Sequence, residues 1–325
     1  MRLILIFLIF VSALEAKKDI KVQLRWKHQF QFAGYYMALH KGFYEDINLN
    51  VELLEGDEKI DVVKTVLSKK ADFGISNSSL ILDYMKGLDV LNLGAIFQHS
   101  PNILLTTKDF KSPVDLARDG KIALMGGDQD IELKAMFSKE GIDLSKVKFV
   151  TNQNYFENFI EGKIEAINSY ISNEPFVLNQ KGLDFKIIDP RDYGLDFYGD
   201  TLFTSKFFYN NNYETVSAFR TATLKGWDYA LENIEESVDV ILKYYNTQNK
   251  SKEALIYEAN TLKKLINNDL VEIGHINRGR WENIALVYKD LGLVKSLSKF
   301  DDFFYIENKK VDLTWFYIYF FISSF

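Results

Sequence analysis

The sequence predicts an α/β protein of two lobes that face each other, with a helical C-terminal part. Three observations carry that reading. Strand-like and helix-like runs alternate from residue 20 onward, the alternation restarts near Ile103, and beyond Tyr209 it gives way to long helical patterns.

The first strand is expected at residues 20–24, where Ile20, Val22 and Leu24 alternate with Lys21 and Gln23. A helix over 33–41 follows, with Tyr36, Met37 and Leu39 available for burial and Gly42 to end it. Residues 51–53 read as the second strand. Val62, Val63, Val66 and Leu67 recur at helical spacing across 61–70, which leads into a strand at 71–75. The Ser76-Asn77-Ser78-Ser79 cluster is rich in helix-capping residues and opens a helix at 80–86. Residues 90–97 are again strand.

In the second unit, strands are expected at 121–125, 148–150 and 164–168, with helices at 131–139 and 155–161 and a turn at Gly126-Gly127-Asp128. Residues 67–76 and 160–169 share a plan: a helix ends at a lysine, a short strand follows, and a polar residue sits at its carboxyl end. Such an echo fits two similar βαβ lobes. Helices at 215–231, 234–245, 252–265 and 280–291 complete the pattern. The sheets are expected to be mainly parallel.

A helical tail after two α/β units implies that the chain crosses between lobes and returns. Polar, Gly and Pro residues interrupt strand propensity at 98–101 and 192–200, the expected crossings. The organisation that follows is lobe 1 from 17–100, lobe 2 from 101–192, and a return with C-terminal helices over 193–310. In open α/β sheets ligands sit at the carboxyl ends of strands, so the loops there become the candidate site.

Composition narrows the function. Lys and Arg number 39 against 45 Asp and Glu, a net charge of −6 with no basic block, which argues against nucleic acid as a partner. Cysteine is absent, so disulfides, thiolate metal sites and cysteine nucleophiles are excluded. The four histidines, at 28, 40, 99 and 275, are too dispersed for a metal site, and no Gly-x-Ser-x-Gly, P-loop or Gly-x-Gly-x-x-Gly motif occurs. Neither cofactor nor metal is expected. Arg2, the apolar run 3–11 and the small residues at 12–16 read as an export signal, which places the mature chain in the periplasm. The apolar stretch 311–325 is too short to span a bilayer and reads as a packed strand or the start of a span.

Aromatics make up 15% of the chain, enough to line a cleft as well as a core. Trp26 follows the first strand among polar neighbours and is placed to stack on a flat ring. Tyr35 and Tyr36 open the first helix, one expected toward the cleft and the other toward the core. Ser76 and Asn77 offer amides and hydroxyls to a ligand, or simply cap a helix. Gly127 and Asp128 form the corresponding turn of the second lobe. Glu174, before Pro175, is a carboxylate for an amino group on a heterocycle, or a first-turn acid stabilised by the helix dipole. Tyr198 and Asp200 lie on the return crossing and either bind ligand or fix the hinge.

Residues 24–36 (LRWKHQFQFAGYY), with Lys41-Gly42-Phe43-Tyr44, Ala71-Asp72-Phe73-Gly74-Ile75, Ser172-Asn173-Glu174-Pro175-Phe176 and the segment 197–203, resemble the SsuA/THI5-like (NMT1-like) family over about residues 20 to 290. The resemblance implies a periplasmic binding protein type II fold with a hinged cleft. It implies a small-molecule ligand: a formylaminopyrimidine for thiamine synthesis in some members, and sulfonates, nitrate or bicarbonate in others. A monomer is expected, read by an inner-membrane ABC permease. The Asn-Glu-Pro and Tyr-Gly-Asp combination is similar to a subset fused to membrane signalling domains. The resemblance also favours a binding role for Glu174. Eukaryotic members are pyrimidine synthases that consume bound pyridoxal phosphate and need a cysteine-rich motif. Here Ser76 stands where they have the Schiff-base lysine, and there is no cysteine, so a binding protein and not an enzyme is expected.

Overall fold

The computed structural model describes residues 17–107, 109–151, 154–297 and 299–307, without the side chains of Asp128 and Gln129. The export signal read at 1–16 and the apolar stretch at 311–325 lie outside the described residues.

Ten strands form two five-stranded sheets. In chain order they are β1 (Lys18–Gln23), β2 (Leu49–Leu54), β3 (Phe73–Ser76), β4 (Val90–Ala95), β5 (Asn102–Thr106), β6 (Lys121–Leu124), β7 (Lys148–Thr151), β8 (Ala166–Tyr170), β9 (Lys186–Ile188) and β10 (Thr201–Ser205). The first sheet has the order β2-β1-β3-β10-β4 and the second β7-β6-β8-β5-β9. Both sheets are mixed. β10 runs antiparallel to β3 and β4, and β5 antiparallel to β8 and β9, while the remaining pairs are parallel. The reason is topological. β5 and β10 are each the first strand after a crossing, so each enters its sheet from the cleft side, where the other strands end.

Burial on both faces explains the unbroken apolar runs of the inner strands. Along β5, Ile103 and Leu105 pack into one core and Leu104 into another. On the first sheet, the helices Ala33–His40, Tyr213–Glu232 and Lys252–Ile266 cover one face, and Leu80–Met85 with Arg278–Asp290 cover the other.

The chain passes to the second sheet between Ala95 and Asn102 and returns between Ile188 and Thr201. The two connections lie side by side. The amides of Ile96 and Phe97 donate to the Asp200 carbonyl at 2.8 and 3.1 Å, and the Ser100 amide donates to the Phe197 carbonyl at 2.9 Å. Gly199 permits this approach, because a Cβ there would meet Phe97 Cβ at 2.8 Å and the His99 carbonyl at 3.0 Å.

Helix Ala33–His40 carries the loop that begins the cleft, and a glycine sets how closely it is held. A Cβ on Gly226 would meet the Gly34 carbonyl at 2.2 Å and Ala38 Cβ at 2.6 Å. Two helix backbones touch there and neither can give way. Gly226→Ala is expected to cost about 3 kcal/mol, the upper end of overpacking penalties, and to lower the melting temperature accordingly. A variant melting with the wild type would show that this contact is looser than described.

Candidate functional site: an interlobe cleft

The carboxyl ends of both sheets meet at the cleft. After β1 the chain continues through Leu24, Arg25 and Trp26, pinned by the Gly56 amide donating to the Trp26 carbonyl at 3.1 Å. Ser76 and Asn77 end β3. Met125, Gly126 and Gly127 follow β6, and Tyr170 ends β8. The loops after β1, β3 and β6, with the helix Val62–Leu67 and the loop before it, line a wide cleft of about 670 Å³. Beside it lies a chamber of about 60 Å³, lined by Trp26, Gln29 and Gln31 from the first lobe and by Met125, Tyr155, Tyr170, Asn173 and Glu174 from the second. A third space of about 20 Å³ lies at the crossings, among Ser100, Glu132, Tyr170 and Tyr198. Arg25 borders all three.

The structure brings together some of the residues singled out from the sequence. Trp26 lines both the wide cleft and the chamber, and Glu174 lines the chamber. Ser76, Asn77 and Gly127 line the wide cleft. Asn77 also serves its own turn, its Oδ1 accepting from the Ser79 amide at 2.9 Å. The side chain of Asp128 lies outside the described residues. Tyr198 faces the small space at the crossings, and its hydroxyl accepts from the Asn277 amide at 3.1 Å. Asp200 is buried and acts through Arg25, whose guanidinium it holds at 3.1 Å, while its other oxygen accepts from Gln31 at 2.8 Å. Burial raises the Asp200 carboxyl, and Arg25 and Gln31 oppose that rise.

Tyr35 and Tyr36 require a correction, since neither ring lines these spaces. Both are fully buried in the first lobe. Tyr35 meets Trp227 edge-on, with ring centroids 6.0 Å apart. Tyr36 stacks on Tyr245 at 4.0 Å, with its hydroxyl 2.8 Å from Nδ1 of His28. Helix Ala33–His40 is covered by later helices on both of the faces these adjacent residues occupy, which the local pattern does not reveal.

Polar groups around the chamber form two sets of hydrogen bonds, one running from Lys250 to Asp200 and one around Glu174. Lys250 Nζ donates to Glu258 Oε2 at 2.9 Å, to Gln29 Oε1 at 2.7 Å and to Asn173 Oδ1 at 2.8 Å. Gln29 donates to Gln31 Oε1 at 2.5 Å, and Gln31 donates on to Asp200. Glu174 Oε2 accepts from Ser169 Oγ at 2.6 Å and from the Tyr170 amide at 3.1 Å. Burial pushes the phenols of Tyr155 and Tyr170 up, so both rings are neutral near pH 7.

Arg25, Gln29, Gln31, Tyr155, Tyr170, Asn173 and Lys250 were not singled out from the sequence. A signal existed for Tyr170. It is an aromatic at the carboxyl end of a strand, the same station in the second lobe that Trp26 has in the first. Lys250 lies in a polar interhelical loop, where nothing local distinguishes it. Among the described residues, no group of three or more His, Asp or Glu side chains is arranged to hold a metal ion.

The NMT1/THI5-like family model matches residues 29–237, more than half of the chain. The chain belongs to that family. Among family-like proteins, a formylaminopyrimidine-binding protein of Halalkalibacterium halodurans is 26% identical over 255 residues, covering 75% of each chain. The riboflavin-binding protein RibY of Chloroflexus aurantiacus is 24% identical over 242 residues, covering 70% of this chain and 66% of the other. Among solved structures, the periplasmic aliphatic sulphonate-binding protein SsuA of Escherichia coli superposes with a TM-score of 0.66 at 12% identity, over 90% of this chain and 95% of the other. That likeness shows the fold: two mixed sheets on either side of a cleft, as in periplasmic binding proteins of ABC-type importers.

Proposed function

We propose that the protein is the periplasmic solute-binding component of an ABC-type importer, and that it captures an aminopyrimidine of thiamine synthesis without changing it. The observation that carries this reading is the chamber. It sets the Trp26 indole of one lobe together with the Tyr155 and Tyr170 rings of the other and the Glu174 carboxylate, which suits a flat heterocycle bearing an amino group. The named ligand of the Halalkalibacterium relative is of that chemical class. The ring enters while the lobes are apart, the aromatic walls close on it, and an inner-membrane permease reads the closed form.

Titration calorimetry with a formylaminopyrimidine, an alkanesulfonate, nitrate and riboflavin tests the reading. The pyrimidine is expected to bind and the two anions to give no heat. Glu174→Gln is expected to weaken pyrimidine binding by about tenfold or more, because a charge-assisted hydrogen bond from the amino group becomes a neutral one. Binding of the sulfonate or nitrate with no response to the pyrimidine would overturn the proposal.

A further inference from the structure

Lys250 sits between the lobes and faces the ring chamber indirectly, through an amide. Its ammonium can only donate, so each of its three partners must turn an oxygen toward it. Two of these, Gln29 Oε1 and Glu258 Oε2, belong to the first lobe, and the third, Asn173 Oδ1, to the second. Glu258 is fully buried and accepts from the Gln31 amide at 2.9 Å, so the anchor of this ammonium is rigid.

The consequence falls on Asn173. With Oδ1 accepting from Lys250, Nδ2 is left as the free end of an amide that lines the chamber, and it has no protein acceptor among the described residues. The amides of Gln29 and Gln31 are already committed to Lys250, to each other and to Asp200. Glu174, next in sequence, has Oε2 taken by Ser169 and the Tyr170 amide, while Oε1 has no protein donor among the described residues. Both residues line the chamber, so its wall holds an amide donor next to a carboxylate acceptor. Resting on the aminopyrimidine reading above, we infer that Lys250 is a positioning residue for ligand choice. It locks the Asn173 amide so that residues 173 and 174 read a ring edge with an acceptor nitrogen beside an exocyclic amino donor. The 4-oxo counterpart carries an N–H where the acceptor should be and a carbonyl where the donor should be, and it meets two mismatches.

The test compares 4-amino-2-methylpyrimidine with 2-methylpyrimidin-4-one, each measured by calorimetric displacement of a formylaminopyrimidine. The wild type is expected to prefer the amino ring by about 100-fold, since each of the two unmatched buried polar contacts forfeits about tenfold in affinity. In Lys250→Met the Asn173 amide is free to turn over, and the preference is expected to fall to about tenfold or less. Lys250→Arg restores an obligate donor and most of the preference. Absolute affinity should also drop in Lys250→Met, because the contact between lobes is lost, but a purely structural role would lower affinity for both rings alike and leave their ratio intact. Should Lys250→Met fail to fold, Asn173→Ala must show the same loss of preference. A preference in Lys250→Met equal to that of a wild type that binds the amino ring overturns this inference alone. A wild type that binds neither ring overturns it together with the functional proposal.

Discussion

Trp26→Ala is expected to weaken binding of a formylaminopyrimidine by 30- to 1000-fold, about 2–4 kcal/mol, with a smaller loss of stability in the unliganded protein. The indole lies just beyond β1, half-buried, with one part packed on the first-lobe core and the rest lining both the wide cleft and the chamber. Its loss removes the apolar area it would bury against a ligand ring and a stacking contribution of about 0.5–1.5 kcal/mol beyond that area. Tyr170→Ala should act in the same direction from the opposite lobe. The two rings share one ligand, so the double variant should lose less than the sum of the two single losses. The test is calorimetry on the three variants beside the wild type. An affinity for Trp26→Ala within threefold of the wild type would show that the ligand does not lie against the indole.

What could be read from the sequence divides along a physical line. Local periodicity carried the long elements. The helix expected at 131–139 is Ile131–Lys139, and the one expected at 252–265 is Lys252–Ile266, opened by Ser251, whose hydroxyl accepts from the Ala254 amide at 3.2 Å. Elements whose existence depends on partners were not legible. β9 has only three residues, and β10, Thr201–Ser205, is a strand because β3 and β4 leave a slot between them. The helix Pro113–Asp119 was missed although its signal is local: Ser112 caps it by accepting from the Asp115 amide, and Pro113 opens its first turn.

In the site, Trp26 and Glu174 were legible because strand ends and helix starts are stations that sequence marks. Arg25 and Lys250 were not, because their meaning lies in partners about 80 to 230 positions away: Asp200, Gln29, Asn173 and, closer, Glu258. The expectation for Tyr35 and Tyr36 failed for the same reason. Trp227, in the helix Tyr213–Glu232, and Tyr245, just past the helix Ile234–Tyr244, cover them from some 200 residues downstream.

The second large effect concerns pH and lies at the crossings. Glu132, in the helix Ile131–Lys139, is buried against the first connection, where Ser100 Oγ donates to its Oε2 at 2.7 Å. Burial raises its carboxyl to about 8, with Asp189 and Asp196 adding to the rise and the hydrogen bonds from Ser100 and Asn102 opposing it. In the unfolded chain the same group titrates near the ordinary glutamate value of about 4.5. Below that pH both states hold the proton and no penalty arises. Between about 4.5 and 8 the unfolded chain releases its proton while the folded one keeps it, so stability declines as pH rises and levels off above the folded value. The full span is on the order of 3–5 kcal/mol at about 1.4 kcal/mol per pH unit. Glu132→Gln keeps an acceptor for Ser100 and has no proton to lose. It should match the wild type near pH 4.5 and melt several degrees higher near pH 9. Melting curves of both proteins from pH 4.5 to 9 decide the matter, and parallel curves across that range would mean that Glu132 is ionised in the fold. Because Ser100 belongs to the connection about which the lobes would turn, the same titration should loosen closure. Pyrimidine affinity in the wild type is then expected to fall above pH 8, while that of Glu132→Gln stays level.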